Sequence, residues 1–388
     1  MSNTTIFTDS TICKSIKVYI NDIEIPQDDM KDFQYSMSLF RSSILGTLTI
    51  TDSFNLLNSK QIEFNGNTTV KVVMFDFMRT HWQCKFKVVD MQIDETNPRV
   101  KAMRFKLIDS VSYTLATKFN TKSFNANPVD AFKQIIDEYK CQEYLESVGM
   151  KLDLISAPGS ENFSLPHNMS VLDFFLAKLA EYNVRVWFDH TGLHIKEYKL
   201  SDYELTKFKD KNLVYTDFLV NNEYLFKIHF YTKQNASQSS TSLAIPKQTI
   251  VKFNAKQKIE EQVDLKEIYS EMLLNNNDDF LQLQETTGDA TNPTFTTKGK
   301  IKYDLFGKYM FSNVITAGVP GTIKYANPGA KVTVKLLSKS PYDEQQLSGD
   351  VTASGVYIIG AVTGRIIGDK FIQQITFNRF DNPKPRKS

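Results

Sequence analysis

The sequence predicts a mainly β protein in which two similar antiparallel β-barrels flank α+β insertions. Three observations carry that reading. From Lys14 to about Leu115, apolar residues recur at alternate positions in run after run, the period of half-buried strands. From Phe119 the period lengthens to that of helices. From Asn313 to Phe380 the strand period returns, and one long run carries three glycines.

The first region, residues 1–118, opens with Ser15–Ile20, where Ile16, Val18 and Ile20 alternate with polar neighbours. Asn21-Asp22 supplies a turn and Ile23–Ile25 returns. Phe33–Phe40 and Ser43–Thr51 follow, the second with Ile44, Leu48 and Ile50 inward and Gly46 expected at a β-bulge. Next come Thr69–Phe77 and Trp82–Ile93, in which Trp82, Cys84, Phe86 and Val88 share one parity. Asp94–Arg99 is turn chemistry, and Val100–Val111 puts Met103, Phe105 and Leu107 on one side.

In residues 119–204, Asn127 is a good N-cap and Pro128 suits the first helical position. Val129, Phe132, Ile135, Ile136 and Tyr139 form an apolar stripe that carries the helix to about Tyr144. A second helix opens at Ser170 with Asp173 in a capping-box position, and Asn183 stops it. Val184–Asp189, a Thr191-Gly192 turn and Leu193–Tyr198 then read as a hairpin.

Residues 205–300 return to strands at Leu213–Asn221 and Tyr224–Lys233, with a polar loop over Asn235–Thr241 and a helix over Asp264–Asn275. Asn275–Thr297 is largely polar and Gly-poor, and no element is read there. In residues 301–380, strand Lys331–Leu337 is followed by a polar loop, Ser338–Thr352. Gly355–Ile367 and Lys370–Phe380 then flank a Gly368-Asp369 hairpin turn, since both loop residues tolerate positive φ. Glycine costs a flat strand about 0.5–1 kcal/mol, so Gly355, Gly360 and Gly364 mark a strongly bent one. Residues 381–388, rich in proline and basic side chains, form a disordered tail.

Composition narrows the function classes. A formal charge of +2 on 388 residues gives no electrostatic reason for tight, sequence-specific nucleic-acid binding or for a membrane surface. No apolar run approaches the roughly 20 residues of a membrane span, and the polar start does not resemble a signal peptide. Cys13, Cys84 and Cys141 are scattered without a CxxC pair, which points to reduced thiols in the cytosol.

Catalytic and metal-ligating patterns give no site. Of the five histidines (His81, His167, His190, His194 and His229), His190 and His194 have helical ligand spacing but straddle the Thr191-Gly192 turn, so they read as solvated hairpin residues. Asn275–Asp279 lacks the glycine and bidentate glutamate of a calcium loop. Asp94-Glu95 sits on a predicted hairpin turn, so it reads as turn chemistry and not as a glycosidase pair. Gly318–Gly321 reads as turn chemistry, not as a phosphate cradle. Trp82, Trp187, Phe188 and Tyr357 read as core or subunit interface. Lys207–Lys211 and Lys298–Lys302 read as solvated strand or loop faces. No cofactor is implied.

Three stretches together resemble the baseplate hub proteins of contractile-tailed bacteriophages and the hub region of type VI secretion spike proteins. One is Gly46–Asp52 leading into the N-terminal strands. Another is Asn162–Ser170 entering the helix Val171–Tyr182, with Val184–Phe188 and a hairpin behind it. The last runs Pro328–Val332, Ser354–Tyr357, Val362–Ile366, Phe371–Ile375 and Phe380. The resemblance implies a virion protein assembled in the host cytoplasm. It implies a homotrimer whose two barrels per subunit make a pseudo-sixfold ring with a channel for DNA, joining a sixfold tail tube or tube adaptor to a trimeric central spike among other baseplate proteins. No needle repeat follows the second barrel, as in separate phage-type hubs. The alternatives are a receptor- or carbohydrate-binding tail protein, the hub of a non-phage contractile injection system, and a wall hydrolase.

Overall fold

The protein's structure, a computed structural model, describes residues 6–7, 15–53, 65, 67–94, 101–155, 159–197, 214–216, 225–228, 230–235, 249–253, 259–264, 298–310, 313–340, 343–349 and 353–379. The N-terminal strands are β1 (Ile6–Phe7), β2 (Ser15–Ile20), β3 (Ile23–Ile25), β4 (Met30–Ser38), β5 (Arg41–Thr51), β6 (Thr69–Phe75), β7 (His81–Asp94) and β8 (Ala102–Asp109). Strands β4-β5-β8-β7-β6-β2-β3 pair antiparallel in that order. Asn21 and Asp22, both at positive φ (47° and 67°), make the tight β2–β3 turn. The alternation read from the sequence is the buried face: Val18, Phe33, Leu48, Val72, Phe86 and Phe105 all point into one core. Gly46 is not at a bulge. It pairs in register with Tyr35, and the register instead shifts at Lys31 in β4 and Val89 in β7. The glycine lets Leu107 lie close: an added Cβ would meet its side chain at 3.3 Å.

Val100–Val111 does not stay extended. Asp109 caps a helix, α1 (Ser110–Thr117), its side chain accepting from Ser112 N at 2.7 Å. A compact α+β unit follows: β9 (Lys122–Ala126), α2 (Pro128–Glu138), α3 (Cys141–Ser147), β10 (Lys151–Leu154), β11 (Glu161–Leu165), α4 (Val171–Ala180), β12 (Val184–Phe188) and β13 (Gly192–Glu197). Both predicted caps are formed: Asn127 accepts from Val129 N at 2.8 Å, and Ser170 from Asp173 N at 3.1 Å. The single helix expected to run to Tyr144 is two, because Lys140 turns left-handed (φ 56°) and restarts the chain in a new direction. The hairpin β12–β13 forms as read, extended by β10 pairing parallel to β13.

The remaining strands are β14 (Val214–Thr216), β15 (Leu225–Lys227), β16 (Phe230–Asn235), β17 (Thr249–Phe253), β18 (Ile259–Asp264), β19 (Asn313–Pro320), β20 (Lys331–Lys335), β21 (Leu337–Ser340), β22 (Asp343–Gly349), β23 (Gly355–Ile367) and β24 (Lys370–Arg379). Lys298–Lys302 opens a helix, Lys298–Met310, and is not the strand or loop expected. Glycine at 299 fits where the helix abuts the end of α4, since a Cβ there would sit 2.0 Å from the Glu181 carbonyl oxygen. Ser338–Thr352 is not simply a loop: β21 and β22 pair within it. Asp264 closes a strand, and the rest of the expected Asp264–Asn275 helix lies outside the described residues.

A second core, holding Tyr215, Ile315, Val334, Tyr357, Ile375 and Phe377 among others, belongs to these C-terminal strands. It is joined to the first through β23. One edge of β23 pairs with β24 along most of its length, while the other passes from β20 (residues 355–358) to β4 (residues 361–367). The register shifts between Ile359 and Ala361, so Gly360 is the point of transfer. Its carbonyl accepts from Leu39 N at 2.8 Å, and an added Cβ would sit 2.0 Å from Asn378 Oδ1. The glycine-marked bend read from the sequence is therefore the seam that fuses two β-regions into one 15-stranded sheet.

Candidate functional site

The best-defined polar constellation lies where the N-terminal sheet, the α+β unit and the C-terminal strands meet. Tyr35, inward on β4, is fully buried, and Gly364 on the neighbouring strand leaves room for its ring: a Cβ there would meet it at 2.3 Å. The Tyr35 hydroxyl lies 2.8 Å from His190 Nε2 and accepts from Gln373 Nε2 at 3.1 Å. His190 sits at the β12–β13 turn, and its Nδ1 lies 2.9 Å from Asn327 Oδ1. Asn327 is held in turn, its Nδ2 donating to the Lys324 carbonyl at 3.0 Å. It opens an Asn327-Pro-Gly329 turn, which closes with Ala330 N on the Asn327 carbonyl at 3.1 Å and Gly329 at φ 89°. Gln373 also bridges the Thr322 backbone, accepting from its N–H at 2.9 Å and donating to its carbonyl at 3.0 Å. Asp76, wholly buried in the β6–β7 turn, accepts from Thr80 N and Ile323 N at 2.8 and 2.9 Å. Residues from five distant segments thus meet in one buried hydrogen-bond network, the arrangement that fixes one relative placement of parts.

The two hairpin histidines, His190 and His194, are not solvated. His190 is 7% exposed, and burial holds its imidazole below the ordinary range, even though the Asn327 hydrogen bond, Asp189 and Asp76 all favour the cation. His194 stacks on Trp187 (ring centroids 5.1 Å apart) and lies 2.9 Å from Asp189 Oδ2 and 3.1 Å from Asp153 Oδ2. Both carboxylates titrate below their ordinary value despite desolvation, held down chiefly by Lys196 at Asp153 and by His194 at Asp189. Asp153 comes from β10, 41 positions from His194, so spacing around the histidines does not reveal it.

A second inter-element contact centres on Arg185 of β12. Its guanidinium lies 3.8 Å from the Tyr303 ring centroid and 4.6 Å from that of Phe306, and it donates to the Tyr303 carbonyl. This ties the Lys298–Met310 helix to the α+β unit. In the sequence, the only signal of Arg185 is a cation inside an apolar strand.

The other expectations place as follows. Trp82, Trp187, Phe188 and Tyr357 are buried within the subunit. Gly318–Pro320 is strand, not turn, paired with Ile372–Gln374, and Gly321 lies under the Phe371 ring. Asp94 ends β7. Glu95, Asn275–Asp279, Lys207–Lys211, Cys13 and His229 lie outside the described residues. Cys84 and Cys141 are free and buried. Among the described residues, no group of three or more His, Cys, Asp or Glu could hold a metal, and no helix is long and apolar enough to cross a membrane.

No protein-family model and no curated protein matches the sequence. Solved structures do match the fold. The tail protein from Neisseria meningitidis MC58 aligns with a TM-score of 0.60 at 8% identity, over 96% of this chain and 98% of its own. The 43 kDa tail protein of prophage MuSo2 from Shewanella oneidensis aligns at 0.54 and 12% identity, over 95% and 98%. A chain of the half-lidded Francisella PdpA–VgrG complex aligns at 0.52 and 12% identity, over 97% of this chain and 60% of that one. Over 95% or more of its length, this chain has the fold of these tail proteins.

Proposed function

We propose that the protein is the structural hub of a phage tail baseplate. In this reading it forms a trimer that presents six barrel units to the sixfold tail tube and threefold edges to a trimeric central spike, around a channel for DNA. The observation that carries the reading is the seam at β23: two β-regions with separate cores are fused edge to edge in one chain. Three such chains supply six quasi-equivalent units, which is how a threefold body meets a sixfold one. The domains of residues 1–118 and 301–380 are the two tube-forming units, with residues 205–300 partly completing the second and a long polar insertion placed outside the ring. The work is mechanical, and holding one geometry is what the buried junction network provides.

A ring of this kind needs interfaces on the order of 2,000 Å² or more. Light scattering on the protein co-expressed with its spike subunit tests the reading. The expected species has three copies of this chain per spike trimer and a hollow, sixfold-looking outline in negative stain. A monomer that ignores spike and tube subunits but binds glycans overturns it.

A further inference from the structure

We propose that the outer edge of β10 is a docking site for an extended acidic peptide of a partner protein, which joins the sheet as an added strand. β10 ends the sheet β10-β13-β12, so only one of its edges is paired. Lys151 N and Ile155 N donate to the Thr191 and Ile195 carbonyls at 2.9 and 3.0 Å. Along a strand, successive residues turn their backbone groups to opposite sides, so Leu152 and Leu154 point their N–H and carbonyl groups away from β13. No other group among the described residues takes those amides, and both leucines are only half-buried. Such an edge is a template for another strand, and many proteins blunt it by keeping it short.

β10 is short, but a cleft of about 550 Å³ is built against it. Lys133 of α2 and Gln142 and Glu146 of α3 wall the cleft, and the buried Leu145 and Met150 line it. An added strand would therefore lay every second side chain on an apolar surface, which is how strand addition acquires specificity. The charges around the cleft fix the sign of the others. Both acids are already committed: Glu146 Oε1 takes Gln142 Nε2 at 3.0 Å, and Asp153 holds His194 and Lys196. Lys133 and Lys151 are exposed and hold no acid among the described residues. The charge left to a ligand is positive, so the matching segment alternates carboxylates with apolar residues.

Hydrogen exchange on the full chain, resolved by residue, tests the site in two steps. In the free protein, the Leu152 and Leu154 amides are expected to exchange at least about tenfold faster than Asp153 and Ile155, whose amides face β13. Uniform protection overturns the proposal. If it grows with protein concentration, a second copy covers the edge; if it does not, the chain covers its own. The second step adds an octapeptide of alternating Glu and Val, with alternating Lys and Val as its counterpart. The acidic peptide is expected to slow Leu152 and Leu154 to the rate of Asp153, and the basic one to leave them fast. Lys133→Glu with Lys151→Glu, at two exposed positions, is expected to weaken the acidic peptide about tenfold at low salt and to reverse the preference. Absence of protection at millimolar acidic peptide, binding that leaves both amides fast, or a preference that survives the charge reversal overturns the proposal.

Discussion

Asp109 shows how one side chain can organise three elements. It ends β8, caps α1 through Ser112 N, and accepts Ile44 N from β5 at 2.9 Å with its second oxygen. Burial raises its carboxyl from 3.8 to about 6, against the pull of those N–H donors. The folded state therefore binds its proton more tightly than the unfolded one. The associated stability is fully present below pH 3.8 and lost as pH rises through about 6. Asp109→Asn is expected to remove that part of the pH dependence and to cost about 1–3 kcal/mol near pH 7, because an amide offers one acceptor where the carboxylate offers two. Urea denaturation across the window measures both, and an unchanged slope between pH 3.8 and 6 would show that Asp109 does not titrate there. None of this was legible in the sequence. An aspartate ending an alternating run looks like any turn residue until the fold brings Ile44 to it.

At the scale of elements, legibility followed how local the cause was. Caps, stripes and turns are decided within a few residues, so Asn127, Ser170, Asn21-Asp22 and Gly368-Asp369 all fell where the sequence put them. Ser170→Ala is expected to cost about 1 kcal/mol by removing the cap of α4. Thermal denaturation reads the loss, and Ser170→Thr, which keeps both the acceptor for Asp173 N and the donor to Asp173 Oδ2, should restore most of it. The misses have non-local causes. The Lys298–Met310 helix has no apolar stripe to announce it; Arg185 and the end of α4 hold it from outside. Strand β10 is four residues long, and a parallel partner some forty positions away defines it. The junction at His190 was misread for the same reason: the hairpin was visible locally, but Tyr35 and Asn327 were not.

For the whole molecule, the consequence of the seam is mechanical unity. Two cores could open independently, but β23 contributes side chains to both and its carbonyl at Gly360 also ties down the β4–β5 turn. The C-terminal strands should therefore share the global opening free energy of the N-terminal ones. Gly360→Val tests that coupling. Its side chain would drive into Asn378 Oδ1, 2.0 Å from the first added carbon, while Phe40 closes the space at 3.5 Å. Relief requires β23 to shift against β24, which strains the C-terminal core and leaves β5, β8 and β7 untouched. Overpacking of this kind costs about 1–3 kcal/mol. Native-state hydrogen exchange is expected to show β19 and β24 amides opening at the global free energy in the wild type. In the variant they should open below it, while Leu48 and Phe105 amides keep their protection. Equal loss across both sets would mean that the seam is a rigid continuation of one body and that the two cores never act as separable units. The proposed hub role, passing force from a spike to a tube without yielding, requires the first behaviour in the wild type, because a joint that opens alone would dissipate the thrust.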